Sequence, residues 1–222
     1  MSGRILVVAP HPDDEVLGCG GTLLRRKAEG AELAWLIVTG MSADAGWPSE
    51  RIEAREQEIA AVAAMMGFSH VANLRLPAAR LDGYPMADLV AQFAKVFEEF
   101  QPDEVMVPHR SDVHTDHRIA FDAAVACTKP FRYPFVRRVV AYETLSETDA
   151  ALDPDQHFRP NWFVDITAYL EKKLTAAAIY RSEMAPFPFP RSGEALRALA
   201  AVRGAASGFR AAEAFQLLRE RQ

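Results

Sequence analysis

Two short clusters of histidines and acids carry the chemistry this chain could perform. The first is Pro10-His11-Pro12-Asp13-Asp14-Glu15. The second is Val107-Pro108-His109-Arg110-Ser111-Asp112-Val113-His114-Thr115-Asp116-His117, where three of the chain's six histidines fall within nine residues. Imidazole nitrogens and carboxylate oxygens are suitable zinc ligands. His11 and Asp14 are three apart, so a tight turn at a helix start brings both side chains to one point. Asp13 lies between them, points elsewhere, and is free to act on an activated water as a base. His114 and His117 are also three apart, a spacing that shares one helix face. Three protein ligands with one open position is the arrangement of a catalytic zinc. His11, Asp14 and one of the two later histidines complete such a set. The other histidine, beside Asp116, is then left to stabilise an oxyanion or protonate a leaving amine. An acidic helix N-terminus would explain Asp13, Asp14 and Glu15 alone. It explains neither His11 and Pro12 nor the second cluster.

The elements around these clusters alternate. Uninterrupted apolar runs at 5–9 and 33–38 read as buried strands, and 71–76 and 104–107 read as a third and a fourth strand. Segments 16–27, 49–67, 86–100 and 117–127 between and after them have helical spacing. Each cluster therefore follows a strand and precedes a helix, where open α/β sheets bind ligands. Farther on, 135–143 and 162–166 read as strands, 168–184 as an amphipathic helix, and 192–202 and 211–219 as two closing helices. The pattern predicts an α/β, Rossmann-like fold: a mostly parallel sheet, helices on both faces, and a C-terminal helical elaboration. The only candidate split falls near 150–160, and one domain spanning 1–222 is expected.

Composition narrows the function class. A formal net charge of −5 gives no footprint for nucleic acid or an anionic membrane. The C-terminal arginines, Arg191, Arg197, Arg203, Arg210, Arg219 and Arg221, read as solvated helix faces. Cys19 and Cys127 are too few for a disulfide framework and suit a reducing compartment. No secretory pattern opens the sequence and no run is long enough to cross a bilayer, so a cytoplasmic protein is expected. Gly18-Cys19-Gly20-Gly21 lacks dinucleotide-fingerprint spacing and reads as close helix–sheet packing. Trp47 and Pro186-Phe187-Pro188-Phe189-Pro190 read as core or subunit packing in preference to sugar contacts, and self-association is compatible with the C-terminal segment.

The pairing of Pro-His-Pro-Asp-Asp-Glu with His-x-Asp-His resembles the PIG-L/LmbE-like zinc deacetylases, which remove acetyl groups from N-acetylglucosamine-containing substrates. The likeness continues through Val16-Leu17-Gly18-Cys19-Gly20-Gly21-Thr22-Leu23, Arg55-Glu56-Gln57-Glu58 and Phe163-Val164-Asp165-Ile166. It implies that His11, Asp14 and His117 hold Zn2+, or another divalent metal such as Fe2+. It implies Asp13 as general base, His114 facing the oxyanion, Asp116 orienting His114, and Arg55 near the substrate. Two stretches depart from the family pattern: 39–46, and Tyr180-Arg181-Ser182-Glu183 where many members carry His-x-Ser-Gln. The activity so implied is hydrolysis of an acetamide on an amino sugar or its conjugate, a small-molecule substrate. Another small amide or ester, and metal or sugar binding without turnover, are the competing readings.

Overall fold

The computed structural model describes residues 3–153 and 155–222; Pro154, inside the candidate split, lies outside them. The described residues form seven strands and six α-helices. In chain order these are β1 (Arg4–Ala9), α1 (Asp14–Ala28), β2 (Glu32–Gly40), α2 (Ser49–Met66), β3 (His70–Pro77), α3 (Met86–Phe100), β4 (Glu104–Pro108), α4 (Thr115–Ala126) and β5 (Arg138–Tyr142). There follow β6 (Trp162–Asp165), α5 (Leu170–Ala177), α6 (Gly193–Ser207) and β7 (Ala212–Glu220). One sheet runs in the order β3-β2-β1-β4-β5-β7-β6 and takes strands from both sides of 150–160. The five strands from β3 to β5 are parallel; β7 is antiparallel to both its neighbours.

Side chains along a strand alternate between faces. Ile5, Val7 and Ala9 of β1 enter a core with Leu23, Val62, Ala176 and Leu196, drawn from α1, α2, α5 and α6. Leu6 and Val8 enter a second core with Leu89, Phe93, Phe97 and Ala123 from α3 and α4. With both faces covered, the central strands must be apolar throughout, which is why they read as continuous runs. Among the described residues no helix is long and apolar enough to cross a membrane.

The C-terminal elaboration differs from the expectation. The segment expected as a helix at 211–219 is β7. Its Ala-Glu-Ala-Phe-Gln-Leu-Leu composition favours a helix locally, but it lies between β5 and β6 and satisfies its backbone on both edges. The helix expected over 168–184 is cut to α5, and the chain beyond it turns to deliver Tyr180 and Glu183 inward. The strand expected at 135–143 begins only at Arg138.

Helix α1 carries Asp14 and is broken at Cys19, where φ is −140°. The break frees groups that a continuous helix would pair. The N–H groups of Gly21 and Thr22 donate to Glu213 of β7 at 2.8 and 2.6 Å. Lys173 Nζ of α5 donates to the Leu17 carbonyl at 2.9 Å and to Glu213 at 2.6 Å. This buried pair replaces the missing helical turn. The glycines here serve close approach: a Cβ on Gly18 would lie 2.2 Å from the Tyr142 ring, and one on Gly21 would lie 2.8 Å from Ile166. Tyr142 is itself fully buried, its hydroxyl donating to the Val8 carbonyl at 2.8 Å.

Gly18→Ala is therefore expected to lower unfolding free energy by about 1–3 kcal/mol, the usual cost of overpacking. Gly83→Ala, whose Cβ meets nothing within 4 Å, should stay within about 0.5 kcal/mol of the parent. Urea denaturation of the two variants checks the difference.

Candidate active site

The two clusters meet because β1 and β4 are parallel neighbours in the sheet. From β1 the chain crosses to β2 on one side, while β4 lies on the other. Strand order reverses between them, which opens a crevice at their C-terminal ends. His11 stands in the turn after β1, Asp14 begins α1, and His114 caps α4, placing His117 in its first turn.

Asp14 Oδ2 lies 3.4 Å from His11 Nδ1 and 3.3 Å from His117 Nε2. The candidate ligand atoms of His11, Asp14 and His117 all fall within 4.8 Å of one another. Asp112 Oδ2 is 2.7 Å from His117 Nδ1, and Asp112 Oδ1 accepts from Thr148 Oγ1 at 2.6 Å. Asp112 thus fixes the His117 ring and turns Nε2 towards Asp14. His117 Nε2 and Asp14 Oδ1 are buried with no hydrogen-bond partner among the described residues. Buried polar atoms left this way cost free energy, and a divalent cation between them would satisfy both. The nitrogen–oxygen–nitrogen donor set suits zinc or ferrous iron.

A second trio, His11, His114 and Asp116, also lies within 4.8 Å. Its carboxylate is already occupied. Asp116 Oδ2 accepts from the Ala79 N–H at 2.7 Å and sits 3.2 Å from His11 Nε2, while Oδ1 accepts from the Leu81 N–H at 3.3 Å. Asp116 therefore does for His11 what Asp112 does for His117: it holds the far nitrogen and presents the near one.

Electrostatics agree with a cation at this point. Burial disfavours the charged His11 ring, yet its contacts with Asp116 and Asp14 push its pKa up to about 9. Burial likewise opposes charge on His117, but Asp14 and Asp112 hold its pKa well above the usual value. Asp14 stays well below the carboxylate range despite burial, because His117 and His11 face it. The carboxylates demand positive charge here, as protons on the rings or as a metal replacing them.

Asp13 is 3% exposed and has φ of 145°. Side chains other than glycine rarely adopt that backbone, and such strain persists only where the surroundings impose it. Its N–H donates to Glu15 Oε2 at 3.0 Å, and Glu15 Oε1 accepts from Tyr180 Oη at 2.6 Å. Oδ2 accepts from Arg191 Nη1 at 2.7 Å; Oδ1 is buried and unpartnered among the described residues. Burial and the neighbouring Asp14 raise its pKa to about 7 against the pull of Arg191.

His114 Nδ1 accepts the Asp116 backbone N–H at 3.1 Å, so its proton sits on Nε2. Burial, with His11 nearby, lowers its pKa, which favours the neutral ring. The carboxylate of Asp116 is 3.8 Å from His114 and closer to His11. The Asp116 backbone N–H thus meets the His114 ring, while its carboxylate turns to His11.

A cavity of about 250 Å3 opens over these groups, lined by His11, Asp13, His114, Arg55, Glu147, Glu183, Arg191 and Trp47. Arg55 reaches it, but its nitrogens are engaged by protein. Nη1 donates to the Pro12 carbonyl at 2.9 Å, Nη2 to Ser182 at 2.9 Å and to Glu183, and Nε lies 3.1 Å from Glu58. Sequence reasoning missed Arg191, Glu147 and Glu183 as site residues, and placed Arg191 on a solvated helix face. It lies just before α6 and points into the site. The one available signal was the departure from His-x-Ser-Gln at 180–183, which marked the segment carrying Glu183.

The sequence profile of the PIG-L family, described as GlcNAc-PI de-N-acetylase, matches residues 6–128. A diacetylchitobiose deacetylase of Thermococcus kodakarensis is 26% identical over 97% of this chain and 83% of its own length. The conserved protein TT1542 of Thermus thermophilus superposes with a TM-score of 0.79 at 31% identity, covering 99% of this chain and 96% of that one. The 4-carboxy-2-hydroxymuconate hydratase GalB of Pseudomonas putida shares the fold, with a TM-score of 0.77 at 20% identity over 99% of this chain and 98% of that one. A fold that also serves a hydratase does not choose the reaction; the site residues must. With the profile spanning more than half of its length, and both motifs inside the matched region, the chain belongs to the PIG-L family.

Proposed function

We propose that this protein is a metal-dependent N-deacetylase that releases acetate from an N-acetylated amino sugar or its conjugate. One observation carries the reading: His11, Asp14 and His117 offer ligand atoms within 4.8 Å of one another, and Asp14 Oδ1 and His117 Nε2 are buried and unpartnered among the described residues. Asp13 and His114 line one cavity together with His11. Family membership and the deacetylase relative support the choice of bond. We treat residues 1–222 as one catalytic unit, since strands from both sides of 150–160 join one sheet.

His11, Asp14 and His117 would hold the metal, with Zn2+ as the first choice and Fe2+ as an alternative for the same ligands. When bound, such an ion supplies Lewis acidity to a substrate carbonyl and lowers the pKa of water. Asp13 takes a proton from the attacking water at Oδ1, the oxygen that Arg191 leaves free. The neutral His114 ring directs Nε2–H at the acetyl oxygen as that oxygen gains negative charge. The proton held by Asp13 then passes to the nitrogen as the C–N bond breaks, leaving acetate and an amine. Met41 beside the cavity, and Trp47, 41% exposed at its edge, offer apolar contacts to a sugar ring.

Acetate release from metal-loaded protein, measured on N-acetylglucosamine glycosides, sugar nucleotides and simple amides, tests the activity. Turnover of at least one amino-sugar amide is expected; silence across the set defeats the proposal. Asp13→Asn should retain the metal by elemental analysis and lose turnover about 10²- to 10⁴-fold, the range of a general base. His117→Ala should lose the metal, whereas His114→Ala should keep it and turn over slowly. The reverse result would transfer the ligand role to the trio containing His114 and Asp116.

A further inference from the structure

The turn after β1 is held from both sides. Arg55 Nη1 donates to the Pro12 carbonyl at 2.9 Å, and Arg55 Nη2 is paired with Glu183. The other oxygen of Glu183 accepts from Arg191 Nη1 at 3.3 Å, and the same Nη1 donates to Asp13 Oδ2 at 2.7 Å. The contacts close a ring, Pro12–Arg55–Glu183–Arg191–Asp13, whose two ends are consecutive residues of the strained turn. We propose that Arg191 is a positioning residue for Asp13, closing this ring so that Asp13 Oδ2 is tied down and Oδ1 faces the reacting water. The proposal rests on the reading of Asp13 as the base.

Three features argue for positioning over substrate binding. First, each nitrogen of Arg191 already has a protein partner. Nη1 serves Asp13 and Glu183, Nη2 serves Glu147 at 3.1 Å, and Nε serves Ser146 at 2.8 Å. A planar fork with five N–H groups can serve these oxygens at once, and a lysine ammonium cannot match that geometry. Second, Asp13 adopts a backbone conformation rare outside glycine, with φ of 145°. A conformation of that kind must be held by its surroundings, and the ring grips residues 12 and 13 from either end. Third, Oδ1 of the same carboxylate has no partner among the described residues. One oxygen fixed and the other free is what a base of defined direction requires. Glu183 supplies two oxygens and a negative charge between two guanidinium groups, and an amide offers only one acceptor oxygen.

The test uses metal-loaded Arg191→Ala and Arg191→Lys. Both are expected to keep their metal and a KM within about threefold of the parent. Because small misplacements of reacting groups cost up to about 10²-fold, kcat should fall about 10- to 100-fold in Arg191→Ala. Arg191→Lys, which preserves charge and bulk, should still lose about tenfold. Guanidinium chloride at tens of millimolar should restore part of the lost kcat in Arg191→Ala, and sodium chloride of equal ionic strength should not. A raised KM with parental kcat, or parental kcat in Arg191→Lys, would overturn the proposal.

A second readout needs no turnover. In metal-free protein, the thermal midpoint shift caused by Asp13→Asn should be smaller in the Arg191→Ala background than in the parent, because the two residues are coupled. Additive shifts would also overturn the proposal. A non-additive shift in a protein that hydrolyses no amide would leave the ring standing and the deacetylase reading rejected.

Discussion

The site depends on β1 and β4 lying side by side in the same direction. Their register places Val7 opposite Met106, so Ala9 and Pro108 end the two strands together, with Pro10 and His109 the next residue of each chain. Neighbouring strands are about 4.8 Å apart, close to the span of a metal coordination shell. Two loops that leave such a pair at the same edge cannot avoid one another. The alternating cores beneath them fix which way each loop leaves, since a slip of one residue would turn every β1 side chain to the opposite face.

This explains how much of the site was legible. His11, Asp13, Asp14, His114 and His117 reveal themselves through short spacings, and the strand–helix alternation around them says that the clusters converge. The supports are another matter. Asp112 and Asp116 lie within the second cluster, yet the sequence does not tell which carboxylate faces which ring. In the structure Asp112 faces His117, and Asp116 faces His11 across 105 residues of chain. Arg191 is 178 residues from Asp13. No periodicity reports a contact of that length, and an arginine beside a proline-rich run resembles any other surface cation.

The fold was readable where local preference and global demand agree. Strands β1, β2 and β4 are apolar because both of their faces are covered, and the same apolar run signals them. β7 is the opposite case: its residues favour a helix, and only the two strands beside it make the extended form the better one. Its role in the interior, carrying Glu213 to the broken helix, likewise depends on neighbours distant in sequence.

The break in α1 bears on when the site can exist. Each candidate ligand lies at or before His117, so a nascent chain carries the complete donor set once that residue is made. What secures the helix behind Asp14 is made later: Lys173, then Glu213. Arg191, which holds Asp13, is likewise made after the donors. A ribosome-bound fragment would thus present the donors before the parts that set their aim. The division of labour in the finished molecule is temporal as well as spatial, with chemistry encoded early and rigidity encoded late.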